Sequence, residues 1–83
     1  MLKIKDNLDL NILVSKYEFI LVSGCYIRCG RTRDVFINKD DRTIIDYKKD
    51  RFTYTGYAYS NEYKHNTKHY IKDLIVDGLV EKC

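Results

Sequence analysis

Three features predict a small α+β domain in which an N-terminal helix, a four-stranded antiparallel meander and a C-terminal helix follow one another. The run from Cys25 to Tyr59 is rich in Ile, Val, Thr, Tyr and Phe and is cut at regular intervals by polar clusters. Apolar residues before it recur at helical spacing, and so do those after it. With 83 residues the chain is one domain, 1–83, and near this size only about 60–65% of the unfolded surface is buried. One sheet and one or two helices use up that core.

The meander follows from its turns. Gly30-Arg31-Thr32-Arg33, Asn38-Lys39-Asp40-Asp41 and Lys48-Lys49-Asp50 divide the run into strands at Cys25 to Cys29, Asp34 to Asn38, Arg42 to Tyr47 and Arg51 to Tyr59. Connections this short cannot be crossovers, so neighbouring strands run antiparallel. Alternation then separates two faces. One gathers Cys25, Ile27, Cys29, Val35, Ile37, Thr43, Ile45, Tyr47, Phe52, Tyr54, Gly56 and Ala58 and is expected to be the core. The other gathers Tyr26, Arg28, Phe36, Arg42, Ile44, Asp46, Arg51, Thr53, Thr55, Tyr57 and Tyr59 and is expected to face solvent. A bulge at Gly56 would exchange the faces beyond it.

Leu2 and Ile4 alternate with lysines, so residues 2–5 suit a short edge strand and equally an untethered terminus. A first helix up to Tyr17 is capped by Asn7 or Asp9 and stripes Leu10, Leu13, Val14 and Tyr17 along one side. Phe19-Ile20-Leu21-Val22 either extends the first strand backward or forms a buried link, and Ser23-Gly24 breaks it. A second helix, Thr67 to Asp77, is capped by Thr67 or Asn66 and buries Ile71, Leu74 and Ile75. Gly78 is placed as its left-handed stop, with Leu79 returning to Leu74 in a Schellman ending. Both helices are expected on the face of Ile27, Val35, Ile37, Ile45 and Phe52.

Fifteen Lys and Arg against twelve Asp and Glu leave a charge of +3, too small and too evenly spread for a general polyanion binder. No segment has the length of a membrane span, and Met1-Leu2-Lys3-Ile4-Lys5-Asp6 lacks the apolar run of a secretory signal, so a cytoplasmic protein with no membrane partner is expected. Cys25 and Cys29 on one strand lie roughly 13 Å apart at about 3.3 Å per residue, beyond disulfide reach. With Cys83 they read as three thiols, two of them small core residues.

Two chemical constellations lose to geometry or to base chance. Cys25-x3-Cys29 with His65-x3-His69 offers the ligand types of a zinc site, but zinc needs all four within about 2.0–2.3 Å, and cysteines four apart on a strand do not meet that. Cys29, His69 and Asp73 could form a nucleophile, base and orienter, yet no local signature surrounds them and a chain this short has little volume for a cleft. No enzyme, no metal and no cofactor is expected.

The stronger signal is arginine beside rings. Arg28, Arg31, Arg33 and Arg51 with Tyr26, Phe36, Tyr57 and Tyr59 combine anion-gripping forks with stacking or anchoring rings. The plain alternative is that Arg, Thr and Tyr suit the solvated face of a sheet and keep it from aggregating. Asp34, Asp40, Asp41, Asp46 and Asp50 lie among these residues, which favours a protein partner over single-stranded nucleic acid. The sequence names neither that partner nor an oligomeric state.

Leu10 to Phe19, closing on Lys16-Tyr17-Glu18-Phe19, resembles the "helix, then KYGF" opening of small uncharacterised proteins from phages and prophages of low-GC Gram-positive bacteria, with Glu18 in place of glycine. The ending Tyr70-Ile71-Lys72-Asp73-Leu74-Ile75-Val76-Asp77-Gly78-Leu79-Val80-Glu81-Lys82 is similar to theirs too. The two stretches cover about a third of the chain. The resemblance implies an accessory protein in the cytoplasm of a bacterial host, of the class that includes inhibitors of host machinery and anti-CRISPR proteins, engaging a host or phage protein. It assigns no activity to any residue.

Overall fold

The structure is a computed structural model, and it describes residues 1–30, 33–48 and 71–83. It is an α+β fold. In chain order the elements are β1 (Leu2–Ile4), α1 (Asn11–Tyr17), β2 (Ile20–Val22), β3 (Cys25–Cys29), β4 (Arg33–Asn38), β5 (Thr43–Lys48), α2 (Lys72–Val76) and β6 (Val80–Lys82). Among the described residues the strands form one sheet in the order β2-β3-β4-β5-β1-β6, with every neighbouring pair antiparallel.

Three of the four predicted meander strands stand where expected, and the fourth, Arg51 to Tyr59, lies outside the described residues. Phe19 to Val22 gives a separate strand, β2, which turns back into β3 through Ser23 (φ 50) and Gly24 (φ 81). Two successive left-handed residues match the twist of a two-residue hairpin, and only Gly24 takes that conformation without strain. The chain ends add β1 and β6, so they complete the sheet as well as covering it. Leu2–Ile4 is an interior strand between β5 and β6, which removes both the edge and the untethered alternatives.

The register corrects the assignment of faces. Gly30 N–H bonds the Arg33 carbonyl at 2.6 Å, and Tyr26 then pairs with Ile37, Arg28 with Val35, Val35 with Asp46 and Ile37 with Ile44. Paired residues share a face, so even positions of β3 join odd positions of β4 and even positions of β5. Both faces are apolar enough that alternation alone does not choose between registers; the turns on either side of β4 do. The principal core therefore contains Ile4, Leu13, Phe19, Tyr26, Val35, Ile37, Ile44, Leu74 and Leu79. Ile27 and Cys29 lie on the opposite face in a smaller cluster, packed against Ile20, Val22, Cys25 and Phe36. Both helices do cover one side, since Leu13 and Leu74 enter the same core, but Ile27 and Ile45 are not on it, and Phe52 is outside the described residues.

The N-cap of α1 is Leu10, not Asn7 or Asp9, though Asp9 just before it accepts the Asn11 N–H on its Oδ1 at 2.9 Å. Leu13 is buried, Leu10 and Tyr17 half-buried, and Val14 faces solvent, so the stripe is narrower than its spacing suggested. At the C-terminus Glu18 is left-handed (φ 62), and the Phe19 N–H bonds the Leu13 carbonyl at 3.0 Å. A left-handed non-glycine residue costs about 1–2 kcal/mol, offset in part by the greater freedom glycine has in the unfolded chain. Glu18→Gly should therefore stabilise the domain by about 0.5–1 kcal/mol, read as a rise in the urea midpoint at constant slope. A fall in the midpoint would mean that Glu18 makes a stabilising contact.

The first half of the second predicted helix, with its caps Asn66 and Thr67, lies outside the described residues. The end of α2 is the predicted Schellman turn: Leu79 N–H reaches the Leu74 carbonyl at 3.0 Å, Gly78 N–H reaches Ile75 at 3.1 Å, and Gly78 has φ 78. Leu74 is buried, Ile71 half-buried, and Ile75 exposed rather than in the stripe. No helix among the described residues is long and apolar enough to cross a membrane.

Candidate interaction surface

Of the residues expected to form an exposed arginine and ring surface, the four described ones do not share one exposed face. Tyr26 and Arg28 are only 3% and 2% exposed, on the helix-covered face, because the register turns even positions of β3 inward. Arg33, on that same face at the end of β4, pairs with Asp46 at 3.2 Å. Phe36 is half-buried on the opposite face. Arg31, Arg51, Tyr57 and Tyr59 lie outside the described residues. The reading of Tyr26 and Arg28 as exposed binding groups is overturned.

Arg28 instead anchors both helices to the sheet. Its Nη1 and Nη2 donate to the Asp73 carboxylate at 2.8 and 3.0 Å, a fork-to-carboxylate pair, and Nη1 also donates to the Tyr17 carbonyl at the end of α1. The guanidinium lies 4.6 Å from the centroid of the Phe19 ring. Positive charge at an exhausted helix C-terminus is favourable, and the ring face adds to it. Its Nε–H finds no acceptor among the described residues. Tyr17 Oη donates to Asp77 at 2.7 Å, linking α1 to α2; that carboxylate bond, with burial second, holds the Tyr17 hydroxyl above its ordinary pKa.

Arg42, read as the first residue of a strand, is left-handed (φ 67) and closes the turn before β5. Its Nη1 donates to the Lys5 and Leu8 carbonyls at 2.8 and 2.7 Å, which fixes the path from β1 to α1. In the same turn Asn38 Oδ1 accepts from the Asp40 and Asp41 N–H groups, and Asp41 accepts from both the hydroxyl and N–H of Thr43. The Thr43 hydrogen bonds hold the Asp41 carboxyl below its ordinary value.

Asp73 is thus committed to Arg28, on the opposite side of the sheet from the buried Cys29, so these two cannot serve one imidazole; His65 and His69 lie outside the described residues. Cys25, Cys29 and Cys83 form no disulfide.

Among the described residues, β5 exposes Ile45 and Tyr47 on the face opposite the helices. One row across that face runs Ile20, Ile27, Phe36, Ile45, and the next ends in Tyr47 beside Asp34. Burial is graded along it: Ile27, Cys29 and Asp34 are buried, Phe36 half-buried, and Ile45 and Tyr47 are 54% and 55% exposed. Alternation along the sequence puts Ile45 and Tyr47 in the core, and the register of β5 turns them out of it. Their β5 positions carried the signal, since two large apolar residues two apart must share a face, whichever face that is. No known family model matches the chain, and no curated protein or solved structure is significantly similar to it.

Proposed function

We propose that this protein is a non-enzymatic binding module that docks on another protein through the sheet face opposite its helices, with Ile45 and Tyr47 as anchors and Phe36 behind them. The observation that carries this reading is the adjacent exposure of Ile45 and Tyr47 on one face of a strand that is hydrogen-bonded within the sheet. Exposed apolar groups held on a hydrogen-bonded strand gain contact area without a further backbone ordering cost, and tyrosine is enriched among residues that dominate binding energy. The likeness of the chain's two ends to phage and prophage proteins makes a host protein the natural partner and inhibition of it the natural consequence. Burial of Tyr26 and Arg28 takes a ring and a cation from the nucleic-acid alternative, which becomes an outcome of the test.

The test is capture from a Gram-positive host lysate with tagged protein, with and without nuclease, followed by affinity measurement on the recovered partner. Tyr47→Ala and Ile45→Asp should each weaken a stoichiometric, nuclease-resistant partner by roughly thirtyfold, the scale of a loss of about 2 kcal/mol. Val76→Asp, at an exposed apolar position on α2, should leave binding unchanged. Equal binding by all three variants would move the site elsewhere, and loss of the partner on nuclease treatment would favour nucleic acid.

A further inference from the structure

The sheet has two edges among the described residues, and they differ in chemistry. β6 carries Glu81 and Lys82, charges of the kind that keep an edge from pairing with another chain. β2 is Ile20-Leu21-Val22, with no charge, no proline and no bulge. Its backbone polarity follows from the register. Gly24 accepts from Lys39 and Gly30 donates to Arg33, so even positions of β3 bond β4 and the odd ones, Cys25 and Ile27, bond β2. Cys25 and Ile27 face Val22 and Ile20, which leaves the N–H and C=O of Leu21 directed away from the sheet. The Leu21 side chain is 45% exposed, on the same side of the sheet as α1, whose Val14 is 47% exposed.

We infer that β2 is a self-association edge, on which a second copy of this chain adds its own β2 antiparallel, centred on Leu21. That alignment sets Leu21 against Leu21 of the second copy, with two N–H···O=C bonds between them, and sets Ile20 against Val22. It sets Glu18 against Gly24, so no charged residue meets its own copy. A two-fold arrangement of this kind is self-complementary by construction. Paired residues share a face, so the two copies present their Ile20-Ile27-Phe36-Ile45 rows on one side, joined at Ile20 and Val22. The contact is short, and the association is correspondingly weak and concentration-dependent.

Sedimentation velocity of the full chain up to about 1 mM should show the mass rising from monomer toward twice that value. Leu21→Lys should shift this rise to at least tenfold higher concentration while keeping the circular dichroism of the monomer. Should that variant not fold, hydrogen exchange in the wild type decides instead: the Leu21 amide should become slower with concentration while the Leu2 amide, inside the sheet, does not change. A monomer at every concentration, or unchanged association of folded Leu21→Lys, would overturn the inference. Loss of the dimer on Tyr47→Ala would overturn it too, by placing the contact on the opposite face.

Discussion

Asp73→Ala should cost about 3 kcal/mol of folding free energy, measured as a drop in the urea midpoint with an unchanged slope. Removing one partner of a buried ion pair costs about 3–5 kcal/mol because the other charge is left without compensation, and the partial exposure of Asp73 places this pair at the low end. Arg28 cannot escape to water: it is 2% exposed, enclosed by the end of α1, the Phe19 ring and α2. Arg28→Met should be milder, since it leaves only the more accessible carboxylate unpaired. The double variant Arg28→Met with Asp73→Leu should return to within about 1 kcal/mol of the wild type, as replacing a buried pair by apolar groups of similar volume is often neutral. A loss below about 1 kcal/mol for Asp73→Ala would mean that the guanidinium is solvated and that α2 is held mainly by the packing of Leu74 and the Tyr17–Asp77 hydrogen bond.

How far this architecture can be read from the chain depends on what decides each feature. The strands at Cys25–Cys29 and Arg33–Asn38, the stop at Gly78 and the hairpin break at Ser23-Gly24 are decided locally, by propensity and turn chemistry, and they are legible. The faces are decided by register. Ile27 and Tyr26 both carry a large apolar body, so a one-residue change exchanges every side chain without an obvious penalty in the pattern. The error in placing Tyr26, Arg28, Ile45 and Tyr47 is a one-residue offset of β4 against both of its neighbours, β3 and β5. Arg28 shows why composition misleads here: an arginine is taken as exposed by default, and it is the three-dimensional meeting with Asp73, 45 residues away, together with the Tyr17 carbonyl and the Phe19 ring, that makes its burial tolerable. The three-residue strand β6 is too short to show a period, and the alternation of Leu2 and Ile4 in β1 leaves its place in the sheet undecided. They pair with each other and β1 with β5, long-range contacts that no local window contains.

The largest loss from a single truncation is expected at Phe19. The residue is 1% exposed, sits between the left-handed Glu18 and β2, and serves two roles at once: it fills the principal core and its ring covers the Arg28 guanidinium. Phe19→Ala should cost about 3–5 kcal/mol from lost transfer energy and the cavity left behind. A domain of this length sits toward the lower end of the usual 5–15 kcal/mol, so the variant should be substantially unfolded at 37 °C, visible as lost chemical-shift dispersion and a flattened thermal transition. Phe19→Leu separates the two roles, because it restores much of the apolar volume but not the ring. Its cost should be about 1–2 kcal/mol, most of it the cation–π contribution of a desolvated site. That part should vanish in the Arg28→Met background, where leucine and phenylalanine at position 19 should be nearly equivalent, whereas Phe19→Ala should remain costly there. A double-mutant cycle showing no coupling between positions 19 and 28 would reduce Phe19 to a packing residue and leave the carboxylate of Asp73 and the Tyr17 carbonyl as the groups that stabilise the buried charge.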